Sequence, residues 1–261
     1  MYGAATNHLK ERVANILRGT SAAGYSNLYV GLLHNDPTET GTAGVELNYT
    51  GYDRQPVTFT PPALSPGGVA IQNVAELLWL PPPTATQSVL FAGVYDAQNG
   101  GNMLWRVQLS VPLEIIAGMP PSLDTGDLIL ELTGHGSVWF KTQVLSMFRG
   151  QNVSGISPFA SLHSGDPEAG GIELSGGGYE RQPVTLSTPA SQVGGHMQMS
   201  NETSIRFPRP TSPQGNLAYI GIHNAQSGGN LVYKIEWIPN IFIQRNYTPR
   251  FLAGRLRVNV D

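Results

Sequence analysis

The chain has no cysteine, few charges and no long apolar run, and each shortage removes a class of explanation. Without cysteine there is no disulfide framework, no thiolate metal site and no cysteine nucleophile, and folding in a reducing cytoplasm is permitted. Charged residues make up 13% of the 261 positions, against about 25% in an average soluble protein. The formal net charge is −3 and no basic block is present, so a nucleic-acid partner is not expected. No window approaches the roughly 20 apolar residues that span a bilayer. Met1-Tyr2-Gly3-Ala4-Ala5 lacks the basic and apolar regions of a signal peptide. A membrane is therefore not an expected partner. Few charges also mean little repulsion between neighbouring molecules, which favours a subunit packed in an assembly.

What the chain does have is turn chemistry and repetition. Its 31 glycines and 20 prolines are spread between short runs rich in Val, Thr, Leu, Ile and aromatics. One block is written twice. Leu33-His34-Asn35-Asp36-Pro37, Gly44-Val45-Glu46-Leu47 and Gly51-Tyr52-Asp53-Arg54-Gln55-Pro56-Val57-Thr58 return as Leu162-His163-Ser164-Gly165-Asp166-Pro167, Gly171-Ile172-Glu173-Leu174 and Gly178-Tyr179-Glu180-Arg181-Gln182-Pro183-Val184-Thr185. A third block, Asp96 to Trp105, matches Asn224 to Tyr233 at nearly the same offset. The period is that of a whole domain, since solenoid repeats run only about 20 to 50 residues.

Each copy opens on a helical stripe, Leu9, Val13, Ile16 and Leu17 in the first and Phe140, Val144, Met147 and Phe148 in the second. Both stripes end at Arg-Gly, where glycine can take the left-handed cap. Ser137 is the expected N-cap of the second helix, and Thr6 or Asn7 of the first. The remainder reads as strands, with Leu28 to Leu33, Leu90 to Tyr95 and Met103 to Leu109 among the clearest in the first copy. The fold class expected is mainly β: two tandem β-sandwich, jelly-roll-like domains, each preceded by a short amphipathic helix, at 1–134 and 135–261. Domains of this size, about 130 residues each, are expected to bury a core apiece.

Three motifs invite chemistry. His34, Asp36 and Glu39 lie together, as do His163, Asp166 and Glu168, but Asp-Pro after a strand sets a turn in which the carboxylate accepts from an amide two residues on. The His-to-Asp spacing differs by one residue between the copies, an insertion placed at Gly165. No metal site or cofactor is therefore expected. Gly100-Gly101-Asn102 and Gly228-Gly229-Asn230 precede strand-like runs and not a helix, so they read as hairpin turns and not as phosphate loops. Gly-Tyr-x-Arg-Gln-Pro-Val-Thr reads as architecture: Tyr52 and Tyr179 pack at corners, Gln55 and Gln182 follow, and Arg54 and Arg181 find carboxylates at Glu46 and Glu173. The alternative is a sugar-binding or partner surface using Tyr52, Tyr179, Trp105 or Tyr233. No nucleophile and base emerge, so catalysis is not expected, although 18 acidic residues leave a glycosidase-like pair open. Leu77-Leu78-Trp79-Leu80 and Ile205-Arg206-Phe207-Pro208-Arg209 read either as core strands before rigid proline loops or as diverging interface ridges led by Trp79, Arg206 and Arg209.

This order of motifs resembles the small phage proteins labelled tail fibre proteins, over Asn7 to Leu132 and again over Trp139 to Asp261. The resemblance implies a structural protein of a tailed bacteriophage virion, in the tail, baseplate, fibre or neck (collar) region, assembled in the host cytoplasm. Its implied partners are other tail or neck proteins, with itself as a symmetric ring or trimer and a host surface glycan as a possible ligand. Tandem modules without a long repetitive shaft suit a connector better than a receptor-reaching fibre.

Overall fold

The computed structural model describes residues 2–261. The first module runs β1 (Tyr2–Ala5), α1 (Asn7–Leu17), β2 (Tyr29–Leu33), β3 (Gln55–Pro56), β4 (Ala63–Ser65), β5 (Gly68–Gln72), β6 (Leu77–Leu78), β7 (Val89–Tyr95), β8 (Met103–Leu113), β9 (Ser122–Leu123) and β10 (Ile129–Leu132). The second runs α2 (Val138–Ser146), extended by a 3-10 turn at Met147–Arg149, then β11 (Phe159–His163), β12 (Gln182–Pro183), β13 (Ala190–Ser191), β14 (Met197–Ser200), β15 (Ile205–Arg206), β16 (Gly215–His223), β17 (Leu231–Ile243), β18 (Arg250–Phe251) and β19 (Arg257–Val260).

Both modules are mainly β and share one topology. One sheet has the order β1-β8-β7-β2-β3 in the first module and β12-β11-β16-β17 in the second. The facing sheet is β10-β5-β4 and β13-β14-β19, and a small ladder, β6-β9 or β15-β18, closes one end. All pairings are antiparallel. Within the run Gln55 to Phe59, only Gln55–Pro56 pairs with β2, and Phe59 bridges Asn73 on the other sheet. Proline offers no amide to extend the first ladder, so the chain crosses between sheets there. Strand β1 was not expected; it pairs with β8 from Tyr2↔Gln108 to Ala5↔Trp105.

Helix capping follows the sequence with one difference. Ser137 Oγ accepts from the Phe140 amide at 3.1 Å. Thr6 is the N-cap of α1, yet its hydroxyl donates to the Met103 carbonyl and accepts no bond from the helix amides. Gly19 and Gly150 end the helical segments at φ 97° and 79°, where L side chains are strained.

The expectation of one core per module is corrected. Most buried apolar residues of both halves form one continuous cluster, and Leu33, Phe91, Tyr95 and Met103 form a small separate one in the first module. Helix α1 packs on β8 of its own module and on β14 and β19 of the other, while α2 packs on β17 and on β5 of the first. Each helix therefore covers a sheet in both halves. The seam has quasi-twofold symmetry. Ala22 and Val153 exchange amide–carbonyl bonds at 2.8 Å, Tyr25 N–H donates to Met147 O, and Ile156 N–H donates to Ile16 O. Gly24 N–H donates to Asn152 Oδ1 and Gly155 N–H to Ser21 Oγ, both at 3.0 Å. Phe148, from the second helical segment, sits among Tyr25, Phe59 and Trp105 of the first module, with ring centroids 5.5, 6.0 and 6.2 Å away. An isologous interface between sibling subunits would look the same.

Two buried asparagines that the motif reading passed over hold the end ladder to the second sheet. Asn73 Nδ2 donates to Ala75 O and Asp124 O, and its Oδ1 accepts from Gly126 and Leu128 amides. Asn201 repeats this with Thr203 O, Leu252 O and the Leu256 amide. Asn201→Ala should cost about 3 kcal/mol in urea denaturation, because one buried and two part-buried backbone groups lose their partner; a loss below about 1 kcal/mol would show that water replaces the amide.

Candidate functional site

The residues shared by the two modules converge on one constellation per module. Arg54 forms a two-pronged pair with Glu46, Nε to Oε1 at 2.9 Å and Nη2 to Oε2 at 2.8 Å. Its Nη1 donates to the carbonyls of Ala97 and Gly100 at 3.0 and 2.7 Å. Tyr52 accepts from the Leu32 amide at 2.8 Å and donates to Glu46 Oε1 at 3.2 Å. The second module repeats every bond: Arg181 to Glu173 at 2.8 and 2.7 Å, Arg181 to Ala225 O and Gly228 O, and Tyr179 between the Leu162 amide and Glu173. The guanidinium thus ties the Glu-Leu strand edge to the tip of the β7–β8 or β16–β17 hairpin. That tip needs glycine at φ 64° and 68°, Gly100 and Gly101, and at 63° and 66°, Gly228 and Gly229. Gln55 and Gln182 bond locally, to Asp53 O and Glu180 O at 2.9 Å. Burial raises the Glu173 carboxyl, but hydrogen bonds from Arg181 outweigh it and hold the group below its ordinary range.

The equivalence of His34 with His163 is corrected. Strand pairing sets Leu33 opposite Phe91 and bridges it to Glu46, while His163 lies opposite Tyr219 and bridges to Glu173. Leu33 is therefore the counterpart of His163, His34 of Ser164, and no residue is inserted at Gly165. His34 reaches the Ser88 carbonyl at 3.2 Å near the surface, whereas His163 is buried. Letter matching shifted the register by one position, and a one-residue shift exchanges the two faces of a strand.

The Asp-Pro turns carry a second pair of ionic clusters. Asp36 accepts from the Thr38 amide and Asp166 from the Glu168 amide, at 2.8 and 2.9 Å. Arg106 then binds Asp36 and Glu39, and Lys234 binds Asp166 and Glu168. Buried Lys10 adds a bond to Glu39 at 2.6 Å and another to the Gly195 carbonyl of the second module. Burial alone would raise the Glu39 carboxyl, but the bonds from Lys10 and Arg106 prevail and lower it from 4.5. A carboxyl whose folded pKa is depressed stabilises above its unfolded value and loses that contribution as pH falls through the folded one. Stability should therefore drop from about pH 4.5 downward, and Glu39→Gln should flatten that slope in chemical denaturation at stepped pH; an unchanged slope would remove Glu39 from the account.

Among the interface candidates, Trp79 is corrected: it is 1% exposed and belongs to the core, because the apolar side of this short strand faces inward. Its neighbours Leu78 and Leu80 face solvent instead, 52% and 63% exposed. The counterpart of Trp79 is Phe207, also buried, and Arg206 and Arg209 beside it are exposed. Of the aromatics considered for stacking sugars, Trp105 and Tyr233 are buried, and Tyr52 and Tyr179 have their hydroxyls engaged. A groove of 550 Å³ between β3 and the 3-10 turn is lined by only two charged residues, Glu76 and Arg149. No helix among the described residues is long and apolar enough to cross a membrane.

Comparison with known proteins agrees with the internal duplication. The family model described as podophage GP4 fiber I protein gp80 matches residues 4–131 and again 137–259. No curated protein matches the chain. With both modules matched over nearly their whole length, the chain belongs to the podophage GP4 fiber I protein gp80 family, a family of phage tail fibre structural proteins.

Proposed function

We propose that this chain is a non-enzymatic assembly subunit of the phage tail or neck that joins neighbouring virion proteins through surfaces on which its two modules differ. One observation carries the reading: at equivalent exposed positions beside equivalent buried aromatics, the first module presents Leu78 and the second Arg206. The shared Tyr, Arg and Glu side chains bond to one another and hold the scaffold, so selection for that scaffold leaves these outer positions free to fit different partners. Strand β17 supports the same reading. It forms the edge of its sheet over a long stretch and exposes Ile238 and Phe242, and strand edges and apolar patches are where other chains add. A ring or trimer of this chain is the arrangement proposed.

Incorporation into particles tests the proposal. Leu78→Arg with Leu80→Asp changes only exposed side chains and should leave the melting temperature within a few degrees of the parent, by the usual scale for surface changes. Particles from a host supplying only this variant should carry at least about tenfold less of the chain, the factor expected when about 1.4 kcal/mol of interface is lost. Normal incorporation, together with glycan binding by the isolated chain, would favour the carbohydrate-binding adhesion reading, and release of fragments from host polysaccharide would favour an enzyme.

A further inference from the structure

The two modules differ at one buried cluster beside the shared constellation. Where the first has Leu33 and Tyr95 next to Glu46, the second has His163 and His223 next to Glu173. One ring nitrogen of each histidine and a carboxylate oxygen of Glu173 all lie within 4.8 Å of one another. The imidazoles are nearly parallel, with centroids 5.8 Å apart, and are 4% and 7% exposed. Neither nitrogen of His223 has a hydrogen-bond partner, and neither does Nδ1 of His163. Orphaned nitrogens this deeply buried are unfavourable and call for a missing ligand.

The surroundings prepare His163 for that role. Ser161 Oγ lies 2.8 Å from His163 Nε2 and 3.2 Å from the Gly221 carbonyl. With the hydroxyl proton given to the carbonyl, Nε2 of His163 is the donor to Ser161 and Nδ1 keeps a lone pair for a ligand. Histidine ligands of metals are held by a hydrogen bond from their second nitrogen in the same way. Two imidazoles and a carboxylate suit zinc, cobalt(II) or nickel(II), whereas calcium and magnesium take oxygen ligands.

We propose that the second module binds one divalent transition-metal ion of the zinc class through His163, His223 and Glu173, with water completing the shell. Arg181 is the competing cation, since it holds both oxygens of Glu173. It also donates to Ala225 O and Gly228 O, so the guanidinium keeps two partners when one carboxylate oxygen turns to the ion. The Glu173 side chain is 26% exposed, which provides an entry path. The first module cannot bind in this way, because Leu33 supplies no ligand and the phenol of Tyr95 lies over the Arg54 guanidinium at 3.3 Å.

The full chain, dialysed against a chelator, is titrated with Co²⁺ and then Zn²⁺. One equivalent of cobalt should produce visible absorption bands that zinc displaces, and the melting temperature should rise by about 5–10 °C at a hundredfold excess over Kd. His163→Leu with His223→Tyr gives the second module the residues the first already accommodates. That variant should fold, lose the bands and bind at least about a hundredfold more weakly, as expected when two of three protein ligands go. If it does not fold, zinc-induced shifts of the two buried imidazole nitrogens in the parent chain, read by NMR, take its place, and unshifted rings overturn the proposal. The proposal also fails if the parent takes up no stoichiometric metal. Uptake retained in the folded double variant overturns it as well, assigning the metal to the other histidines, His8, His34, His135 or His196.

Discussion

Gly155→Ala should be the most damaging single-methyl change in the chain, with a loss of at least about 3 kcal/mol and a less cooperative unfolding transition. A Cβ on Gly155 would lie 1.9 Å from the Gly19 carbonyl oxygen and 2.2 Å from its carbon. Both atoms are backbone at the end of α1, so no rotamer change relieves the contact. Gly24 meets the same obstacle across the quasi-twofold, 2.2 Å from Gly150 C. Overpacking usually costs about 1–3 kcal/mol where side chains can move; here the modules themselves must part. Parting them exposes the shared core around Phe148, so calorimetry should show two transitions, or one markedly broadened, in place of one. Gly136→Ala, whose added Cβ has no atom closer than 3.7 Å, is the matched control and should stay within about 0.5 kcal/mol of the parent. A sharp single transition at the parent temperature in Gly155→Ala would show that the halves are only loosely apposed.

Arg54→Ala is the second large effect. The side chain is largely buried, and its loss leaves Glu46 without its ion pair and with only the Tyr52 hydroxyl, beside two unpaired carbonyls, Ala97 and Gly100. Breaking a buried pair from one side costs about 3–5 kcal/mol. Glu46 keeps part of its exposure, which places the expectation near about 3 kcal/mol. Arg54→Lys should recover less than half, because a single ammonium cannot span both carboxylate oxygens and reach the hairpin carbonyls. Hydrogen exchange should locate the damage: amides at the tip from Asp96 to Asn102 should lose protection before those of β2. Uniform loss across the first module would mean that the arginine supports the core generally and not the hairpin.

Both experiments bear on how the virion role is achieved. If Arg54 and Arg181 only maintain shape, their variants should fail in proportion to lost stability, whereas Leu78 and Arg206 variants should fail in assembly while remaining folded. That separation distinguishes a scaffold with divergent surfaces from a module whose shared residues contact ligand.

By itself the sequence determined the mainly β class, the two helices and the duplication, and it offered Glu46 and Glu173 as the candidate partners of Arg54 and Arg181. These are local periodicities or letters repeated across the copies, and they survive without knowledge of which strands meet. Only the tertiary structure decided the rest. The one-residue register that sets Leu33 and not His34 opposite His163 depends on hydrogen-bonded partners, and repeated letters shifted it. The shared core arises because each helix covers sheets of both modules, a contact no pattern within one copy can encode. Asn73 and Asn201 look like turn residues until the chain closes around them, and a buried amide is recognised only by the backbone groups it satisfies.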